Sequence, residues 1–468
     1  MESPLPCLTS WRDCNQLKLK STRFPVLVIA RKLKAYKERT PFMSAFVSHM
    51  LAPCLGTFVG RQQETSLKRE HSTKRRGLSP KCSAATSVPH GMRRSNMQEW
   101  QRDETLFFDR SVALVGREAD EAVSIVYAYP NTYAVGICSL GYQIVWAMLS
   151  GLKRAHVTRL FTDAMEPLPY QADLVGFSLS WELDYVGIFA QLEFVGIPRR
   201  AVQRSETDPI VFGGGPVLTA NPEPFAEFFD IILLGDGENT IPEFVEAFRE
   251  CKGLSRTKKL EMLAQVPGVY APSLYEVQYE SATGPLKSIC AKQSTSDVQI
   301  PESLQKATYR GKSLATSTVV TPRCAWENIF MVEAVRSCPE MCAFCLASYV
   351  TLPFRAAPVQ DSLIPAVDRA LTATNRIGIL GASVTQHPQF DQLLSLLRES
   401  KYDGMRLSLS SVRTNTVTEA LAQTLVARGS KSITVAVESG SERLRKVSCF
   451  AGSQGYIAFL HTLCAVIP

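Results

Sequence analysis

Two apolar runs in this chain stop directly on glycine: Phe212-Gly-Gly-Gly-Pro216 and Leu234-Gly-Asp-Gly-Glu238. A buried strand that ends on a glycine turn and alternates with amphipathic stretches is the repeating unit of a parallel sheet with helices on its faces. The rhythm holds from about residue 121 to 250. Ala122 to Tyr129, Asp173 to Ser180, Ile210 to Phe212 and Phe229 to Leu234 read as buried strands, and Ser139 to Leu149, Leu183 to Val195 and Ile241 to Phe248 have helical spacing. The expectation is an α/β fold with a doubly wound parallel sheet. Its ligands would sit beyond the carboxyl ends of the strands, where the glycine turns lie.

A bridging stretch follows, about 251–325, in which Val266-Pro-Gly-Val-Tyr-Ala-Pro272 reads as turn and extended chain and Leu274 to Tyr279 as a short strand. The strand–helix rhythm returns near 327. Ile329 to Val335, Arg376 to Leu380, Met405 to Leu409 and Ser432 to Val437 read as strands. Pro365 to Thr372, Phe390 to Leu397, Val417 to Ala427 and a stretch opening at Glu442 read as helices. Four successive βα units suggest a (β/α) barrel, with its chemistry at the carboxyl ends of the strands. Gly381-Ala-Ser383, Ser410-Ser411-Val-Arg413 and Glu438-Ser-Gly-Ser441 occupy such ends.

The loop after the first of these strands is Arg336-Ser-Cys-Pro-Glu-Met-Cys-Ala-Phe-Cys345. Three thiolates at Cys338, Cys342 and Cys345 can hold three irons of a 4Fe–4S cube and leave the fourth iron open to a small ligand. A structural zinc site is the alternative, but zinc prefers four closed ligands, usually in CxxC pairs. Cys324 or His387 would have to supply the fourth, and neither has zinc-finger spacing. A disulfide framework is disfavoured by the length of the chain and the lack of a secretory signal.

Charge divides the chain. Residues 1–100 hold 18 Lys and Arg against 6 Asp and Glu, and the remainder 33 against 38. The mildly acidic remainder argues against a general nucleic-acid surface. Residues 1–102 carry eleven serines and few acids, which suits an organelle transit peptide, with plastid favoured over mitochondrion, or a disordered tail on a cytoplasmic protein. No apolar run is long enough to span a bilayer.

Two stretches resemble one family. The CxxxCxxC loop, with Phe344 before the last cysteine, is similar to the signature of the radical S-adenosylmethionine (radical SAM) superfamily. The upstream set Tyr129-Pro-Asn-Thr-Tyr133, Ser139-Leu-Gly141, Gly176-Phe-Ser-Leu-Ser180, Gly213-Gly-Gly-Pro216, Asn221-Pro-Glu-Pro224 and Gly235-Asp-Gly-Glu238 resembles the cobalamin-binding-like N-terminal domain of an uncharacterised group in that superfamily. The resemblance covers about 103–447. It implies an α/β domain over 103–252, a bridging region over 253–326, a partial radical SAM barrel over 327–447 and a divergent tail over 448–468. Residues 1–102 precede it as a basic segment.

By that resemblance, Cys338, Cys342 and Cys345 are the iron ligands of a 4Fe–4S cluster whose open iron takes S-adenosylmethionine. Phe344 lies near the adenine. Gly381, Ala382 and Ser383 form the methionine-binding turn, and Glu438 and Ser439 reach the ribose or methionine moiety. Arg413 could pair with a carboxylate. The implied reaction is reductive cleavage of the sulfonium to a 5′-deoxyadenosyl radical, with electrons from a ferredoxin- or flavodoxin-type donor and an unnamed substrate. The sheet domain lacks a DxHxxG motif, so no histidine is evident to ligate cobalt, and cobalamin and an empty scaffold both stay open. Asp236 and Glu238 read as turn residues rather than ligands. Radical SAM barrels usually have six βα units and this one supplies four. One rival is therefore a defective fragment with an unpaired sheet edge. A second is a methylthiotransferase-like RNA-modifying enzyme. That branch needs a second cluster, for which Cys138, Cys251 and Cys290 are too dispersed.

Overall fold

The computed structural model describes residues 99–109, 122–294, 297–410, 412–430, 432–436, 438–439 and 441–447. The basic segment ahead of residue 99 and the stretch 448–468 lie outside the described residues. Among the described residues no helix is long and apolar enough to cross a membrane.

The glycine-punctuated runs form one six-stranded sheet. Its elements are β1 (Val123–Ala128), α1 (Leu140–Gly151), β2 (Ala155–Leu160), β3 (Leu174–Ser178), α2 (Tyr185–Phe194), β4 (Ile210–Gly214), α3 (Pro216–Ala220), β5 (Ile231–Leu233), α4 (Gly237–Cys251) and β6 (Val269–Tyr270). The strand order is β2-β1-β3-β4-β5-β6, parallel except for the antiparallel edge β6. The chain moves outward from β1 to β2, then returns to the other side of β1, so the connection reverses direction between β1 and β3. That reversal is the switch point at which doubly wound sheets open a crevice. Ser139 caps α1, accepting from the Tyr142 amide at 3.3 Å, as a serine at this position should.

Two strands of this sheet went unread in the sequence. β2, Ala-His-Val-Thr-Arg-Leu, carries a histidine and an arginine where a buried strand should be apolar. Arg159 is nonetheless fully buried, because Glu104 meets it at 2.7 Å and Glu166 at 2.9 Å while its guanidinium lies over the Trp146 ring, 3.8 Å from the centroid. A paired, hydrogen-bonded charge is what makes such burial tolerable. β6 lies in the bridging region and closes the sheet edge, so part of that region belongs to the α/β domain. Trp100, on the helix Glu99–Arg102 and counted with the basic segment in the sequence reading, is buried in the same core.

The second half builds on β7 (Ile329–Glu333), α5 (Leu346–Val350), α6 (Ile364–Ala370), β8 (Arg376–Leu380), α7 (Phe390–Leu397), β9 (Arg406–Leu409), α8 (Glu419–Ala427) and β10 (Val435–Ala436). β7, β8 and β9 form a parallel sheet in that order. Its core includes Phe330, Ile377, Leu394, Leu407 and Leu421. β10 does not extend this sheet as an even four-stranded wall would. It pairs in parallel with Val412–Arg413, the continuation of the third strand past Ser410, so the sheet breaks into two pieces. The result is an open, partial βα array, and among the described residues it does not close into a barrel.

Buried Gln143 of α1 ties the halves together. Its side-chain oxygen accepts from the amides of Thr318 at 2.8 Å and Val319 at 3.1 Å.

Candidate active site

The cysteine loop leaves the carboxyl end of β7 under constraint. Arg336 pairs with Arg355 as a short antiparallel step, and Ser337 and Met341 both adopt positive φ. Across the sheet, Gly381 follows β8 with φ +155°, and a Cβ there would lie 2.6 Å from the Val335 carbonyl oxygen. Glycine therefore lets the turn after β8 press against the chain that enters the loop.

Cys338 and Cys342 are buried and Cys345 is half-buried. The Cys345 amide donates to the Cys342 carbonyl at 3.0 Å. Each sulfur has a polar neighbour. The Cys338 thiol points at Gln386 Oε1 at 3.8 Å. Arg413 Nη1 lies 3.8 Å from Cys342 Sγ, and the Ser348 hydroxyl donates to Cys345 Sγ at 3.2 Å. Ser383 donates to the same Gln386 oxygen, and the Gln386 amide in turn donates to Glu340 within the loop. Glu340 also meets Arg413 at 3.4 Å. The turn after β8 and the end of the third strand thus both converge on the cysteine loop. Of the residues singled out in the sequence, Ser383 and Arg413 join this network.

Other expected site residues sit differently. Phe344 is 54% exposed, and Ala382 is exposed beside buried Ser383. Glu438 is exposed with φ +60°. The bonds of Ser439 are local, to the Ser441 amide at 3.1 Å and the Arg445 guanidinium at 2.6 Å. Gly440 and Ser411 lie outside the described residues.

The zinc alternative finds no support in the two residues offered for it. His387 uses both ring nitrogens: Nε2 donates to the Ala357 carbonyl at 2.8 Å and Nδ1 accepts from the Gln389 amide at 2.9 Å. Burial lowers its pKa and keeps the ring neutral. Cys324 is buried in the core of the α/β domain, where the amide of the next residue, Ala325, donates to the same Ala134 carbonyl that accepts from the Cys138 thiol. Among the described residues no group of three or more His, Cys, Asp or Glu side chains converges to hold a metal ion. What suits an iron–sulfur cluster is the donor chemistry, three thiols on one short strand-end loop with an arginine and a serine close to sulfur.

Against the loop lies a cavity of about 350 Å³ at the switch point of the six-stranded sheet. Tyr127, Ser178, Gly214 and Gly235 line it from the strand ends, and Glu333, Arg336 and Thr351 from the cysteine-loop side. No histidine stands among the described lining residues. Asp236 and Glu238 prove to be more than turn residues. Arg336 reaches Asp236 at 3.0 Å, Glu238 at 2.7 Å and Glu333 at 2.8 Å, and Arg355 adds a second bond to Asp236. Burial alone would raise the Asp236 pKa, but Arg355 and Arg336 together hold it below the usual carboxylate value. One guanidinium, two residues before Cys338, so fastens the cysteine loop to the glycine turn that rims the cavity. The pairing was not legible in the sequence, since roughly a hundred residues separate the partners.

Residues 122–272 match the family described as "Radical SAM proteins, N-terminal". An uncharacterised protein of Methanocaldococcus jannaschii is 25% identical over 325 residues, 69% of this chain and 62% of the relative. The chain therefore spans under two thirds of that relative's length. Among solved structures, the radical S-adenosylmethionine methyltransferase TsrM of Kitasatospora setae, with cobalamin and a [4Fe-4S] cluster bound, aligns with a TM-score of 0.50 at 12% identity, over 74% of this chain and 68% of TsrM. The cobalamin-dependent enzyme OxsB aligns with a TM-score of 0.46 at 16% identity, over 74% of this chain and 48% of OxsB. The likeness to TsrM is one of fold.

Proposed function

We propose that this chain, whose residues 122–272 match the N-terminal domain of radical SAM proteins, is a radical SAM enzyme with cobalamin held at the sheet's switch point. Cys338, Cys342 and Cys345 are the cluster ligands in this reading. A bound 4Fe–4S cluster supplies one electron to the sulfonium of S-adenosylmethionine. Gly381, Ala382 and Ser383 serve the methionine portion, Phe344 the adenine, and Glu438 and Ser439 the ribose or methionine.

One observation carries the proposal: Arg336 belongs both to the strand end that launches the cysteine loop and to the rim of the cavity. A cofactor seated beyond β1 and β3 would then face the cluster loop across a fixed seam. The work of the chain's own residues is positional. Gln386 and Arg413 orient the sulfur-bearing loop, and Phe177 and Phe212 give the cavity apolar walls. Tyr127, Ser178, Gly214 and Gly235 at the strand ends would hold such a cofactor. The likeness in fold to TsrM, which binds cobalamin and a [4Fe-4S] cluster, supports the same assignment.

Anaerobic reconstitution with iron and sulfide tests the reading. The expected result is a brown protein that forms 5′-deoxyadenosine or S-adenosylhomocysteine from S-adenosylmethionine under reduction, and that retains hydroxocobalamin through gel filtration. A colourless protein carrying only zinc would overturn it. A cluster that forms but never consumes S-adenosylmethionine would favour a non-catalytic fragment.

A further inference from the structure

The guanidinium of Arg413 stands between a carboxylate and a sulfur. Ser410, the residue after β9, sets its approach. The Ser410 hydroxyl donates to the Gly381 carbonyl at 2.8 Å, which fastens the third strand to the turn after β8. Beyond it, Val412 and Arg413 pair with β10, and the Thr416 hydroxyl donates to the Arg413 carbonyl at 3.0 Å. From this anchored backbone, Arg413 Nη1 lies 3.8 Å from Cys342 Sγ and Nη2 lies 3.4 Å from Glu340 Oε2. The Arg413 side chain is only 11% exposed, so water and salt screen its charge weakly. The polar neighbours of the other two sulfurs, Gln386 at Cys338 and Ser348 at Cys345, carry no charge.

Resting on the assignment of Cys338, Cys342 and Cys345 as cluster ligands, we infer that Arg413 raises the reduction potential of the cluster and that Glu340 opposes it. Reduction moves one electron from a low-potential one-electron donor onto the cluster and its thiolates. No bond forms or breaks, and the donor is oxidised by one electron. The reduced state is therefore more negative by one charge. A cation beside Cys342 stabilises that state more than the oxidised one, as charge and hydrogen bonds at cluster sulfurs generally do. Glu340 carries the opposite sign on the same loop and acts in the opposite direction. Gln386 and Ser383 are positioning residues in this arrangement. The Gln386 amide donates to Glu340, and the Ser383 hydroxyl donates to Gln386. Two strand ends thus converge on one sulfur, one bringing the cation and the other holding the acid.

The experiment is a redox titration of the full chain, reconstituted anaerobically with iron and sulfide and reduced by dithionite through low-potential mediators. Visible absorption and electron paramagnetic resonance follow the cluster, and iron content is measured for each variant. Arg413→Gln should shift the reduced-to-oxidised ratio at a fixed potential about tenfold toward the oxidised form, equivalent to about 59 mV for one electron. Glu340→Gln should shift it toward the reduced form. Arg413→Lys, which keeps the charge, should stay closer to the unmutated chain than Arg413→Gln. If Arg413→Gln takes up no iron, the direction of the Glu340→Gln shift decides. Potentials that stay put, or that move the same way in both glutamine variants, would overturn the inference and leave the cluster assignment standing. An unmutated chain that takes up no iron would overturn both.

Discussion

Arg336 meets Glu238 at 2.7 Å, joining the loop of Cys338, Cys342 and Cys345 to the turn at which α4 begins. The same guanidinium neutralises Asp236 and Glu333. Burial opposes its charge, but the hydrogen bonds it donates to Glu333 and Glu238 more than offset that and raise its pKa.

Removing that guanidinium would strip largely buried Glu238 and Glu333 of their shared cation and leave Asp236 with Arg355 alone. Arg336→Met should lower unfolding stability by about 3–5 kcal/mol, the usual cost of breaking a buried ion pair from one side. Urea denaturation at neutral pH measures it. A loss below about 1 kcal/mol, the value of a surface pair, would mean the network is solvated.

Gly235 and Gly196 separate two costs of a side chain at positive φ. At Gly196, φ +74°, a Cβ would meet nothing within 4 Å, whereas at Gly235, φ +91°, it would lie 2.2 Å from the Ala307 carbonyl oxygen. Gly196→Ala should cost about 1–2 kcal/mol, the left-handed penalty alone. Gly235→Ala should cost clearly more and shift the chain that rims the cavity. Equal shifts in the melting midpoint would contradict this.

The cysteine loop predicts a sharp contrast among thiols. Alanine at Cys338, Cys342 or Cys345 should abolish the visible absorption of the reconstituted protein and lower S-adenosylmethionine consumption at least about a hundredfold, since a cluster needs every thiolate ligand. Cys290→Ala, on the hairpin Tyr275–Tyr279 with Leu286–Ala291, should leave both unchanged. Iron content and absorption spectra decide it.

His387 makes stability depend on pH. Its folded pKa is lowered by burial, so below its ordinary value of about 6.5 the unfolded chain binds the proton more readily than the folded one. The histidine's contribution is full above about pH 6.5 and declines as pH falls from there toward the lowered folded value. His387→Gln should flatten the stability–pH curve as pH falls below about 6.5, that ordinary value. Curves that stay parallel in urea titrations would remove the claim.

The parallel sheet was legible because its strands are nearly continuous apolar runs closed by glycine, a pattern few other folds produce. β2 escaped for the opposite reason, since His156 and Arg159 look like surface residues until Glu104 and Glu166 are folded onto Arg159. That three cysteines share one short strand-end loop was legible from spacing alone. That Ser383 and Arg413 converge on it was not, because both depend on how two strand ends tilt over a third.

Local chemistry in the chain determined which segments become strands, which become helices, and where three thiols gather on one short loop. Those are effects of neighbours within a few residues, and spacing records them. The tertiary structure decided which distant charges meet, that Cys324 packs into the core of the α/β domain, and that β10 pairs past Ser410 instead of extending the sheet. Such choices depend on burial and on partners well beyond the reach of any short motif.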